Sequence, residues 1–286
     1  MCHRCSSGGG RFRDLPAAPL LIVAAALAAP AAWAEGSPDV LTDPFQLALG
    51  TYIVDTDTRV RLNGETDVGD NVNWEDTFGG GDVTRFRIDG QWRFAARHKV
   101  RFMWFSNSRS KLATLEDEIY WGDETFPIGA KVRSQFDFDV YELAYEYSFL
   151  RRESYELSGS IGLHYTDLAL AMSAKVSAAG GALERDIREA GSVGAPLPVI
   201  GLRGLWQVAR NLWIDGQVQY FALSIDEYDG SLHDYKIMAT WQPKKWLGLG
   251  IGYNEFGVDV DVDKQSFNGS LDWTYRGPML QYSVVF

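Results

Sequence analysis

Apolar and polar side chains that alternate at every second position, charges of both signs on the polar face, and connections that run short and long in turn predict an all-β chain. The expected architecture is an antiparallel, up-and-down transmembrane β-barrel of about ten strands, with eight or twelve as the alternatives. No shift of composition and no linker divides the alternating region, so residues 45–286 read as one domain.

The chain of 286 residues opens on a segment outside that pattern. Arg4, Arg11 and Arg13 precede the apolar run APLLIVAAALAAPAA, and AWA ending at Ala34 has the small-x-small form of a cleavage site. Residues 1–34 therefore read as a secretion signal cut after Ala34, and 35–44 as a periplasmic lead. The competing reading, a membrane-anchor helix, meets an alanine-rich run barely long enough to span. Cys2 and Cys5 both leave with the signal, so the barrel must rest on packing and hydrogen bonds without disulfides. The formal net charge of −11 becomes more negative once the basic leader is gone, which argues against nucleic acid as a partner.

Ten segments then carry the alternation. They are FQLALGTYI (45–53), RFRIDGQWRF (85–94), VRFMWF (100–105), YELAYEYSF (141–149), LSGSIGLHY (157–165), VIGLRGLWQV (199–208), LWIDGQVQYFA (212–222), YKIMATW (235–241), LGLGIGY (247–253) and MLQYSVVF (279–286). Helical periodicity occurs only in GALERDIREA (181–190), which reads as a short surface helix within a loop.

Alternation alone leaves the direction of the faces open, because a soluble barrel turns its apolar face inward and a membrane barrel turns it outward. The polar face carries Arg87, Asp89, Arg93, Arg101, Glu142, Glu146, Arg203, Asp215 and Lys236 beside glycines and serines, which suits a narrow lumen of paired charges. Aromatic residues gather at the ends of the apolar stripes: Trp92, Phe94, Tyr145, Tyr147, Trp206, Trp241 and Trp246, as in interfacial girdles. The short connections 95–99, 150–154, 209–211 and 242–245 are basic; the long ones 63–83, 110–132, 173–196, 225–233 and 257–270 are mostly acidic. Short periplasmic turns and long outer loops give that rhythm. Leu280, Tyr282, Val284 and Phe286 share one face, with Gly277 just upstream.

That last strand, ending on an aromatic residue, resembles the assembly signal of the small bacterial outer-membrane β-barrels, the superfamily of OmpA-, OmpW- and opacity-like proteins. The resemblance implies residence in the outer membrane, recognition of Gly277, Leu280, Tyr282, Val284 and Phe286 by the barrel assembly machinery, and outer-membrane lipid and lipopolysaccharide as partners. It points to no particular family.

Three constellations are candidates for function. Arg93, Arg101 and Glu146, with Arg203 and Asp215 across the third short turn, are expected to form a lumen charge network; the rival role is a selectivity ring. On the apolar parity, Asp55, Asp57, Asp137, Asp139, Asp167, Asp259, Asp261 and Asp263 continue past the stripes. They read as an acidic collar at the headgroups bridged by divalent cations, with Asp259, Asp261 and Asp263 the candidate metal ligands; the alternative is strand ends standing in water. The run is not an EF-hand loop. Outer-membrane proteases of the omptin type pair Asp-x-Asp with Asp-x-His at the barrel mouth. Asp55-x-Asp57 and Asp137-x-Asp139 are similar to the first half, but His233 is next to Asp234, so the two point to opposite faces. His164 falls on the lumen face and reads as a hydrogen-bonded filler. No cofactor and no catalytic residue is expected. The function read from the sequence is a non-enzymatic outer-membrane barrel with a largely filled polar lumen and acidic outer loops. A narrow porin-like channel is the alternative, and a surface hydrolase the remote one.

Overall fold

The structure, a computed structural model, describes residues 39–286 apart from 66–67, 81–82, 178–183, 226–227 and 265–266. The leader, its cleavage point after Ala34 and residues 35–38 lie outside the described residues. The strands are β1 Phe45–Leu62, β2 Val72–Asn73, β3 Val83–Ala95, β4 His98–Thr114, β5 Ile119–Trp121, β6 Glu124–Phe126, β7 Lys131–Arg151, β8 Tyr155–Ser177, β9 Glu184–Ala209, β10 Leu212–Ile225, β11 Tyr228–Lys244, β12 Leu247–Lys264 and β13 Phe267–Val285. Among the described residues one helix occurs, α1 (Trp74–Phe78), between β2 and β3.

The ten long strands pair in chain order, each antiparallel to its neighbours, and β13 pairs with β1 to close the barrel. The seam runs from Gln46↔Val285 to Leu62↔Gly269. At its lower end the Phe45 N–H donates to the Phe286 carbonyl and the Phe286 N–H to the Phe45 carbonyl, both at 2.9 Å. Closure leaves no strand edge in lipid, where each unpaired backbone group costs several kcal/mol.

Four tight turns lie at the lower end, between β3 and β4, β7 and β8, β9 and β10, and β11 and β12. The ladder slips beside each of them, at Arg93/Ala95, Ser148/Leu150, Leu212/Trp213 and Trp241/Lys244, as bulges do at barrel rims. In the third turn Asn211 takes a φ of 63°, the left-handed conformation that a two-residue hairpin loop needs.

The lower half is a membrane barrel. Leu143, Ile161, Leu163, Ile200, Leu202, Ile237, Ile251 and Leu280 face outward and are exposed. Below them stand Phe45, Trp92, Phe94, Tyr147, Trp206, Trp241 and Trp246; above them stand Tyr141, Tyr165, Tyr220, Tyr235 and Tyr253. Rings with one wet and one apolar side favour both interfaces.

The upper half reverses this polarity without changing parity. The outward positions become Asp55, Asp57, Asp137, Asp139 and Asp167, while the inward positions become Val140, Phe138, Phe136, Leu168, Leu170, Met172, Val258, Val260 and Trp273, all buried. The strands are long enough for two zones: β7, β8 and β9 have 21, 23 and 26 residues, against roughly ten needed to cross a bilayer.

Two expectations from the sequence are corrected here. Residues 184–190 are not helical: they extend β9, with Lys175↔Asp186 and Met172↔Glu189 in register with β8. With one buried apolar residue in that stretch, Ile187, the alternation was too sparse to read. For the same reason most of the long loops 173–196, 225–233 and 257–270 are strand. The lumen is also not polar throughout, because above the membrane it is the core of a water-soluble barrel and must be apolar to be stable.

Candidate functional site

The lumen is filled in layers from one mouth to the other. At the lower mouth the segment before β1 turns in: the Leu41 and Asp39 amides both donate to carboxylates of the same turn, at 2.9 Å to Asp39 Oδ1 and 3.0 Å to Asp43 Oδ2. This turn lays Val40 and Leu41 against Leu205, Trp213 and Val285. Lys245 holds Asp43 at 2.7 Å, and Arg151 donates to the Leu41 carbonyl at 2.7 Å.

Above that seal lies the lower charge layer. Arg93 and Lys99 both bind Glu156, the former at 3.0 Å, and Lys99 also reaches Glu146. Arg101 donates to Glu146 at 3.2 Å and to Gln217 at 2.5 Å. Ser158 donates to the other Glu146 oxygen at 2.6 Å. Arg203 makes a two-pronged contact with Asp215, at 2.8 and 2.7 Å, and binds Gln91 at 2.8 Å. Such forked pairs are the strongest charge-assisted hydrogen bonds. Of the residues singled out in the sequence, Arg101 and Glu146 touch each other and Arg203 and Asp215 touch each other, whereas Arg93 is joined to them only through Lys99 and Glu156. Lys99 and Glu156 escaped the sequence reading because they sit one or two residues from tight turns; their parity with Arg101 and Ser158 was the available signal.

A second charge layer follows. Arg87 binds both Asp89 oxygens at 2.9 and 3.0 Å and lies 3.6 Å from Asp234; Lys236 reaches Asp89 at 3.3 Å. Tyr52, Tyr275 and Arg87 all donate to Asn254 Oδ1, at 3.1, 3.0 and 3.3 Å, and the Asn254 amide donates to Asp234 at 2.5 Å. Gln219 donates to Glu142 at 2.6 Å, and the buried His164 ring lies 3.5 Å from the other Glu142 oxygen. Across both layers the cations Arg87, Arg93, Lys99, Arg101, Arg203 and Lys236 match the carboxylates Asp89, Glu142, Glu146, Glu156, Asp215 and Asp234 one for one. Balance of this kind is what makes buried charge tolerable.

Over the charges stands an aromatic core: Trp273 packs against Phe138 at 4.3 Å, Tyr275 at 5.2 Å and Phe256 at 5.9 Å, and Phe105 stacks on Tyr275 at 4.9 Å. A lid covers it. The Asn73 side chain caps α1 by accepting from the Asp76 amide at 3.0 Å, and α1 inserts Trp74 against Phe78, Trp121 and Phe136. Glu75 pins the lid to the wall by accepting from the Thr58 amide at 2.7 Å and from Arg109 at 2.5 Å. NVNWEDT, read from the sequence as an acidic loop, thus contributes a tryptophan to the core.

On the outside, Asp259, Asp261 and Asp263 share one face of β12. Asp259 lies opposite Asp272, Arg61 is 3.7 Å from Asp261, and Asn268 donates to Asp263 at 2.9 Å. Burial, then the carboxylates of Asp272, Asp261 and Asp229, push the Asp259 carboxyl above its usual range. Among the described residues no group of three or more His, Cys, Asp or Glu is placed to hold a metal ion. Asp55, Asp57 and Asp137 face outward and are exposed. His233 also faces outward, 3.7 Å from Glu255, while Asp234 is buried in the lumen. At the seam Leu280, Tyr282, Val284 and Phe286 face lipid, Phe286 stacks on Phe45 at 5.4 Å, and Gly277 points inward.

No family model matches the sequence, and no curated protein sequence matches it. Solved structures do. The outer membrane protease OmpT from Escherichia coli superposes with a TM-score of 0.55 at 9% identity, covering 88% of this chain and 99% of OmpT. The toluene transporter TodX of Pseudomonas putida gives 0.36 at 9% identity over 92% and 93% of the two chains. Ail, the attachment invasion locus protein of Yersinia pestis, gives 0.34 at 8% identity over 84% and 98%. With its closed ten-stranded wall and its exposed apolar belt, the chain has the fold of a transmembrane β-barrel, the fold it shares with OmpT.

Proposed function

We propose that the protein is a closed, non-enzymatic barrel that anchors a rigid, water-soluble extension on the cell surface, where it binds or shields. The observation that carries this reading is the filling of the lumen: a turn seals the lower mouth, two charge-balanced layers and an aromatic core occupy the interior, and α1 covers the top. An eight-stranded barrel is just filled by side chains and a sixteen-stranded one leaves a channel; ten strands with these side chains fall in the filled class. Outer-membrane lipid and lipopolysaccharide contact the belt, and the outward face of β13 is proposed as the feature the assembly machinery reads. A protease of the omptin kind would need its acids and a histidine to converge at the mouth, whereas Asp55, Asp57 and Asp137 stand on the outer wall and His164 is buried below the core. The test is single-channel recording of the refolded protein in planar bilayers. No conductance steps are expected; steady, ion-selective openings would replace this reading by the narrow channel. Cleavage of dibasic peptides, or release of fatty acid from lipid A, would replace it by a hydrolase.

A further inference from the structure

Cations also gather on the mostly acidic outer surface. On the upper outer wall, β7, β8 and β9 turn Lys131, Arg133, Lys175 and Arg188 outward, and all four are exposed. Register sets them side by side: Leu112↔Arg133, Arg133↔Ser173 and Ser173↔Arg188 form one row across four strands. Arg133 and Arg188 are thus two strand spacings apart, about 10 Å, with the Ser173 hydroxyl between them. Lys131 is two residues beyond Arg133 on the same face, about 7 Å away. Among the described residues Lys131, Arg133 and Arg188 have no ion-pair partner, and Lys175 has only a loose one, Asp186 at 3.8 Å with both side chains about three-quarters exposed. The next row toward the membrane runs Ser110, Gln135, Ala171, Ala190, so the floor beside the cations is low and open.

A chain with a formal charge of −11 does not gather unneutralised cations by composition. Held on a stiff sheet face, they repel one another and lower their energy by meeting anions. Their height restricts the anion. Arg133 lies eight residues beyond Tyr141, the upper edge of the apolar belt, which is roughly 26 Å along a strand and about 20 Å above the belt at a tilt near 40°. Bilayer phosphates lie lower. Asp137, about 13 Å down the strand, repels a partner on the membrane side. The row therefore suits an extended chain with anionic groups spaced along it, lying across the strands.

We propose that this row is a binding face for a linear anionic polysaccharide of the cell's own outer envelope, carrying phosphate or carboxylate groups along its length. The inference rests on the surface-display reading above and names its partner class. The test uses the refolded full chain in detergent micelles on immobilised dextran sulfate, with neutral dextran as reference. Wild type is expected to bind dextran sulfate selectively, with affinity falling linearly in log–log plots against salt. Arg133→Gln/Arg188→Gln is expected to lose about tenfold at low salt, equal to ~1.4 kcal/mol, and about 1.5 to 2 of the salt slope. Arg133→Lys/Arg188→Lys, which keeps the charge, is expected to retain most of the binding. Arg152→Gln/Arg210→Gln, exposed cations on the periplasmic turns, is expected to bind as wild type. Purified lipopolysaccharide is expected to compete; a host-type sulfated glycan that competes in its place overturns the assignment to the cell's own envelope. No preference over neutral dextran, or equal loss in the two glutamine pairs, overturns the inference. Conductance recorded on the same preparation separates the two claims. A silent barrel that ignores dextran sulfate refutes this inference alone, while a conducting barrel refutes the reading beneath it.

Discussion

Replacing Glu146 by glutamine tests the charge layers at their most connected point. The carboxylate is fully buried, one oxygen accepting from Ser158 at 2.6 Å and the other from Arg101 at 3.2 Å, with Lys99 bonded to it and Arg203 at 3.9 Å. Glutamine keeps the shape and can still accept, but the four cations of the lower layer, Arg93, Lys99, Arg101 and Arg203, then share the two remaining carboxylates, Glu156 and Asp215. Removing one partner of a buried ion pair costs about 3–5 kcal/mol because the other charges cannot leave. A folded domain has about 5–15 kcal/mol in hand, so the loss is a large fraction of the total. The assay is reversible urea unfolding in phospholipid vesicles, followed by far-UV circular dichroism. Adding Lys99→Met restores neutrality, and the double variant is expected to recover about 1–3 kcal/mol relative to the sum of the singles. A single-variant loss below about 1 kcal/mol, or strict additivity, would mean that water reaches the layer, and the sealed lumen would be wrong.

Trp273→Ala should cost about 3–5 kcal/mol in the same assay by opening a cavity among Phe138, Phe105 and Phe256; a loss under about 1 kcal/mol would show the upper core to be loosely packed. Leu143→Arg, in the middle of the belt, should cost about 2–4 kcal/mol in vesicles, and indifference there would place Leu143 away from lipid. Asp259→Asn should stabilise slightly at neutral pH, by about 0.5 kcal/mol or less because solvent screens the site. Its folded-state carboxyl binds a proton more tightly than the unfolded one, so its unfavourable contribution grows as pH rises past the usual carboxylate range and vanishes below it. Thermal melts of both proteins across that range check the sign, and a gain that persists in acid contradicts it.

Much of the lower barrel is legible in the sequence, since one parity sorts Arg87, Asp89, Arg93, Arg101, Glu142 and Glu146 inward and the belt outward. Lipid on one side and paired charge on the other give the strongest contrast that period two can carry. The upper barrel lacked that contrast. Where the belt passes into the upper barrel, FMWF (102–105) is apolar on both faces, because Phe102 and Trp104 turn toward the outer surface while Met103 and Phe105 already belong to the core. In 184–190 the outward face is charged and the inward face holds Ile187 beside Glu189, so neither period stands out. The pairing of Lys99 with Glu156, and the row joining Arg133 to Arg188, depend on strand register, which no single segment encodes.

The reversal of polarity also explains why the strands run so far past the bilayer. At the upper edge of the belt, Tyr141 is followed outward by Asp139 and Tyr165 by Asp167, which are themselves in register. Inside, Glu142 gives way to Val140, and His164 to Thr166 and Leu168. The wall thus changes solvent within about two residues while its hydrogen-bond ladder continues unbroken from Glu156↔Leu205 to Ser177↔Glu184. A ladder that continues through the change makes membrane anchor and outer extension one stiff body, so a load on the extension passes to the belt instead of being lost in a hinge. Loops alone could have displayed a binding surface, but a flexible display loses conformational entropy on every encounter. A sheet face carried above the membrane on uninterrupted strands has already met that cost in folding, and this is the physical reason to look for the protein's work on its upper outer wall and not inside its lumen.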